Sequence, residues 1–401
     1  MMRTRMGAAV MVAAASVSIA GQDWPSLIAQ LRDGNAGKRI AALRQLNAAN
    51  YLPAAQYAAP LVTDPDDAVQ YAAIDAELTF FTNEPIDAGA SGSRALEAFN
   101  AGPLRRSALR EPEVLIDQLI TATADRNARV RFDALHALGV IAEPGSRAMS
   151  ADATRRLMSG LAQPDPVMRA ATARVLGRLG AVGAGDALIA VLNDKSELVQ
   201  EFATESLGWL RHDRAVQALT ERVTYFGKGD RANHALLALA RIGHGSSRNL
   251  LRGHLTDPDA AGRRAAVEGL GRIGDRASLE QIRTLARNDP SNDVRLAGLF
   301  ALNALGEPQA SGIALLVGAQ GLGAQARDYL LEIGSAAAPA VAAAMTTSAD
   351  PRARAELTHL IGFIGGSNDR AALETQLETM TRDADPRAAR AAADALARLR
   401  R

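Results

Sequence analysis

Apolar residues return along this chain at two spacings at once: three or four residues apart within short stretches, and about thirty residues apart between them. The segment 255–275 states the unit in full. There Asp257 and Pro258 make a turn, Arg263 opens a helix, and Ala265, Ala266, Gly269, Leu270 and Ile273 fall on one helical face before Gly274 ends it. Leu250, Leu251 and Leu255 give the preceding segment an apolar side too. The pattern therefore predicts a pair of helices with one face left to bury.

The position held by Leu270 is also taken by Leu138, Leu176, Leu207, Leu239, Leu302, Leu330, Ile361 and Leu396, with successive gaps of 38, 31, 32, 31, 32, 28, 31 and 35 residues. A near-constant period of this length predicts a stacked solenoid, because no single helical pair can cover its own apolar face. Seven residues before the leucine position stand Arg39, Arg131, Arg169, Gln200, Arg263, Arg295 and Arg354, and Asp33, Asp125, Asp194, Asp257 and Asp289 lie six residues ahead of five of these.

This DP-x-x-x-R-R-x-A-x-x-x-L-G-x-I-G pattern resembles HEAT repeats. Its short period and LGxIG ending are similar to the subclass named after phycobilin lyases. The resemblance implies an all-α, right-handed α-solenoid of about 10–11 helical hairpins. It also implies that the charges form a structural ladder between successive turns, through Asp125, Arg131, Asp194, Gln200, Asp257, Arg263, Asp289 and Arg295. It is specific for fold and says little about function.

Residues 1–20 stand apart from the array. Arg3 and Arg5 make a basic start, Gly7 to Val17 is uncharged and apolar, and Ser18, Ile19 and Ala20 offer small residues for cleavage, so a signal peptide and an exported protein are expected. The apolar run is shorter than the roughly 20 residues of a membrane span. Residues 21–81 read as amino-terminal repeats, with Glu77 in a leucine position, and 113–401 as the main array. Between them, over 82–112, the rhythm fails. Glu84-Pro85, the Gly89 to Ser93 stretch, Gly102-Pro103 and Glu111-Pro112 are turn signals around one short helical stretch, Arg94 to Phe99, consistent with either a functional loop or a divergent repeat.

Charge and composition narrow the chemistry. With the leader removed, 43 basic residues face 44 acidic ones, which gives no cationic excess for nucleic acid. The chain has no cysteine, hence neither a disulfide nor a thiol nucleophile. The six histidines, His136, His212, His234, His244, His254 and His359, lack zincin spacing and none precedes a glutamate, unlike the His-Glu pairs of HEAT-like iron hydroxylases. His212, His244 and His254 could meet across adjacent turns, but solvated loop histidines are the simpler reading. No G-x-S-x-G elbow is present. No catalytic residue, metal site or cofactor is expected.

Glycine follows the leucine position at Gly139, Gly177, Gly208, Gly271 and Gly362. Inside a helix each costs about 1 kcal/mol relative to alanine, so the repetition predicts close approach by a neighbouring helix. Counting one, five and nine residues on from the arginine position selects the face opposite the apolar stripe. That strip includes Tyr71, Asp75, Phe132, His136, Arg174, Arg178, Glu201, Glu205, Trp209, Arg264, Glu268, Arg272, Phe300, His359 and Phe363. Five of the fifteen aromatic residues lie there. Aromatics beside Arg and Glu suit a concave surface that grips a protein or extended peptide. The alternatives are a bilin lyase-like or other cofactor-handling protein, and a DNA-repair glycosylase, which the charge balance opposes.

Overall fold

The computed structural model describes residues 23–142, 150–366 and 370–400; the leader-like segment lies outside them. Among the described residues there is no strand, and eleven helical hairpins follow one another. Their second, inner helices are Ala36–Ala48, Asp67–Phe81, Ala128–Ile141, Pro166–Arg178, Glu197–Trp209, Asp230–Ile242, Ala260–Ile273, Asn292–Ala304, Gly323–Ile333, Pro351–Ile364 and Pro386–Leu399. The first, outer helices are shorter and in most hairpins are preceded or followed by a 3-10 turn. Leucines of the repeating position, such as Leu138, Leu176, Leu207, Leu239 and Leu270, are fully buried in one continuous apolar core.

The turn within each hairpin explains the recurring acid. Asp289 accepts the backbone N–H of Ser291 at 2.8 Å, and Asp257 that of Asp259 at 2.8 Å. The residue two further on caps the inner helix, as Asp259 does for Ala261 and Asp66 for Ala68 and Val69. The arginine folds back to carbonyls of its own turn and reaches forward to the next turn's carboxylate. Arg263 donates to the Asp257 carbonyl and to Asp289; Arg169 pairs with Asp194, Arg39 with Asp64 and Arg354 with Asp383 in the same way. The ladder between successive turns is thus formed by Arg39, Arg169, Arg263 and Arg354, each with the acid of the following turn. Arg131, Gln200 and Arg295 reach the carbonyls, not the carboxylates, of Asp125, Asp194 and Asp289. Arg131 has Gln163, not an acid, at the forward position, and Asp125 receives Gln70 instead of an arginine.

The repeated glycines do hold inner helices together. A Cβ on Gly271 would lie 2.7 Å from the Ala301 Cα, one on Gly177 2.8 Å from the Ser206 Cα, and one on Gly362 2.9 Å from the Ala395 Cα. In hairpins 6 and 7 the roles are exchanged: Gly269 faces the Cα of Ala240. Such close contacts on the inner side shorten the concave wall, so the array curls tightly.

Residues 82–111 form no hairpin. They cross the inner side as a strap carrying one helix, Arg94–Ala101. The Phe99 ring fills the space above Gly139, where a Cβ would meet it at 2.6 Å, and sets its edge on His136. Beyond, the strap reaches the last two hairpins. Arg105 pairs with Glu356, Asn83 donates to His359, the Ala108 N–H donates to Asp394 at 2.6 Å, and Arg398 donates to the Arg106 carbonyl. The array is therefore fastened into a ring. One helical stretch, Gly323–Thr347, is long and apolar enough to cross a membrane. It is broken at Gly334 (φ +69°) and packs as parts of hairpins 9 and 10.

Candidate functional site

Ring closure leaves a central hollow of about 560 Å³, open to solvent. One row of its wall comes from residues two positions after the leucine: Arg178, Trp209, Arg241, Arg272 and Glu332. Residues two positions before it, Glu268 and Asp328, complete the wall, and Asn100 to Leu104 of the strap close one side. Six arginines line the hollow against three acids.

One side of the wall is a closed ionic network. Glu268 is 1% exposed and is held by Arg264 at 2.8 Å, by Arg272 at 3.0 Å and by the Tyr329 hydroxyl. Burial alone would raise its carboxyl, but Arg272 and Arg264 hold it well below the usual carboxylate range. Glu332 receives Arg272 through both oxygens at 2.9 Å and Arg211 at 2.6 Å. Arg272 can span hairpin 8 because that hairpin carries the small Ala304 in the same row.

The other side is held differently. Arg178 lies over the rings of Phe99 (4.8 Å) and Trp209 (5.4 Å), and Arg241 over Trp209 (5.8 Å). Burial and the neighbouring Arg174 lower the Arg178 pKa. Asp328 stands in the hollow among Arg241, Arg327, Arg178 and Arg264; it is reached by solvent yet hemmed in by protein, and the loss of hydration raises its carboxyl.

Several residues of the predicted strip are not available to a partner. His136, His359 and Phe300 are 3%, 2% and 3% exposed, and Glu268 is equally buried. They do face inward, but the strap and the facing helices cover that side. Phe300 stacks on Tyr329 at 4.4 Å, and burial pushes the His136 imidazole down to about 4. Phe132 is half-buried against His136, and Phe363 lies under Arg398 at 4.0 Å. Arg174 bonds Asn100 of the strap and approaches Glu205 at 3.6 Å. Glu201 is exposed on the rim near His234. The structure thus joins Arg178, Trp209, Glu268 and Arg272 in one hollow and leaves Phe132, Glu201 and Phe363 outside it. His212, His244 and His254 do not converge; they bond Asp186, Ser246 and Asp257 respectively.

Arg241, Arg327, Asp328 and Glu332 were not on the predicted strip. Position 232 is alanine and 323 is glycine, so counting from an arginine misses hairpins 6 and 9. Counting from Leu239 and Leu330 recovers Arg241, Glu332 and Asp328.

Residues 154–225 and 230–303 match the family model for HEAT repeats. These two segments are HEAT repeats. They include the HEAT hairpins that supply Arg178, Trp209, Arg241, Glu268 and Arg272 to the hollow. Among solved structures, the chain is similar to an engineered protein at 17% identity, covering 95% of this chain and 99% of that one, with a TM-score of 0.45. A second engineered protein is 17% identical over 63% of this chain and 96% of that one, TM-score 0.37. The complex of CpcE and CpcF of phycocyanin lyase from Nostoc sp. PCC7120 is 20% identical over 72% of this chain and 97% of that one, TM-score 0.37. No curated protein matches the chain.

Proposed function

We propose that this HEAT-repeat ring is a recognition scaffold, without catalysis, that takes a segment of a protein partner into its central hollow. The observation carrying this reading is the hollow itself: about 560 Å³, walled by hairpins remote in sequence and by the strap, with Trp209 among charged side chains. Its size falls in the range of specific ligand sites. An extended peptide lying along the whole inner face does not fit, because the strap occupies part of it. The reading without catalysis draws on the state of the polar groups lining the hollow, since Glu268, Glu332 and Tyr329 are already bound to neighbours. The leader-like residues 1–20 support an exported setting.

The test is affinity capture with the mature chain, followed by titration of the purified partner. Trp209→Ala should weaken the complex by about 2 kcal/mol or more while helical content stays unchanged. Unchanged partner affinity would place the site elsewhere.

A further inference from the structure

The arginines of the hollow divide into two kinds. Arg211, Arg264, Arg272 and Arg327 each pair with a glutamate. Arg178 and Arg241 enter no ion pair or hydrogen bond among the described residues; both are held by the face of Trp209, and Arg178 also by Phe99. A cation over a ring face is held without using its N–H groups, and those of Arg178 and Arg241 meet no acceptor at hydrogen-bond distance among the described residues. Their geometry matches a carboxylate or phosphate bidentately. Asp328 shares the space, yet forms no ion pair with either arginine. Both edges are therefore open to an acceptor from outside the chain.

We propose that the hollow binds an oxyanion, a carboxylate or phosphate group, on the free N–H edges of Arg178 and Arg241 beside Trp209. The surrounding charge agrees, because the hollow carries six arginines against three acids and stays cationic after Glu268 and Glu332 have taken their partners. Trp209 acts as the shelf that keeps the two guanidinium groups in place, and the ring of the strap residue Phe99 gives Arg178 a second support. This deepens the reading above and rests on the same hollow.

The experiment titrates the full mature chain with inorganic phosphate, with citrate and with a hexaglutamate peptide at constant ionic strength, read by calorimetry and by tryptophan fluorescence. At least one probe should bind saturably, and the Arg178→Gln/Arg241→Gln double variant should weaken that binding at least tenfold. Arg155→Gln, an exposed arginine on an outer helix, should leave it unchanged. Binding of phosphate or citrate identifies a free anion as the source, and binding of the peptide alone identifies a partner's carboxylates. Circular dichroism establishes that the double variant is folded. Should no probe bind, or should binding persist in the folded double variant, the oxyanion site is refuted. The scaffold reading would still stand if partner affinity continued to depend on Trp209.

Discussion

Arg263 donates to both carboxylate oxygens of Asp289, at 2.8 and 2.9 Å, across 26 residues of sequence. The same arginine bonds two carbonyls of its own turn, so one side chain ties two consecutive hairpins. Its removal leaves Asp289, 4% exposed, without its main counter-charge. Arg263→Ala should therefore cost roughly 2–3 kcal/mol at pH 7. The Arg263 hydrogen bonds hold the Asp289 carboxyl below its ordinary value of 3.8. The stabilisation is complete above that value and disappears as pH falls through the lower, folded one. Denaturant titrations of both proteins at pH 7 and pH 2.5 check this: the difference between them should shrink in acid.

Glu77 titrates in the opposite sense. It occupies a leucine position, is fully buried, and neither carboxyl oxygen has a partner, so burial raises its pKa well above 4.5. The folded protein must keep the proton, and this costs nothing below pH 4.5 and progressively more as pH rises toward the folded value. Glu77→Leu should stabilise the protein by about 1 kcal/mol or more at pH 8, with a smaller gain at pH 4. A destabilised variant at pH 8 would mean that Glu77 has a role beyond filling the core.

The glycine row can be tested by adding one carbon. Gly271→Ala gains about 1 kcal/mol of helix propensity, but its methyl would sit 2.7 Å from the Ala301 Cα. Backbone has to move, and the expected net result is a loss of about 1–3 kcal/mol. Gly253→Ala, with nothing within 4 Å of the new methyl, should be neutral or slightly stabilising. Thermal melts of the two variants give the comparison directly.

Most of the fold could be read from the chain because its rules are local. The leucine period, the turn acids, the capping residues and the glycines each depend on neighbours within one or two hairpins. Which residues carry the ladder was less visible, because Arg131 meets Gln163 and not an acid in the next turn, and Gln200 and Arg295 reach carbonyls of their own turns. The hollow was half legible. Arg178, Trp209, Glu268 and Arg272 follow from helical geometry, whereas Arg241 and Asp328 were hidden by the alanine and glycine at positions 232 and 323. Burial of His136 and His359 could not be foreseen, because it depends on a strap with no period and on contacts such as that of Asn83 with His359, 276 residues apart, whereas Phe300 is covered by Tyr329 and Arg272 of adjoining hairpins.

The hydrogen bond from the Ala108 N–H to Asp394 joins residues 286 positions apart. An open stack of repeats melts or assembles piecewise from any point, since each unit answers only to its neighbours. This chain has a clasp. During synthesis the strap emerges early but waits for the last two hairpins before its partners exist, so the circle shuts late. From then on, fraying of the last two hairpins must also release the strap, and chains that stop before Glu356 lack the clasp.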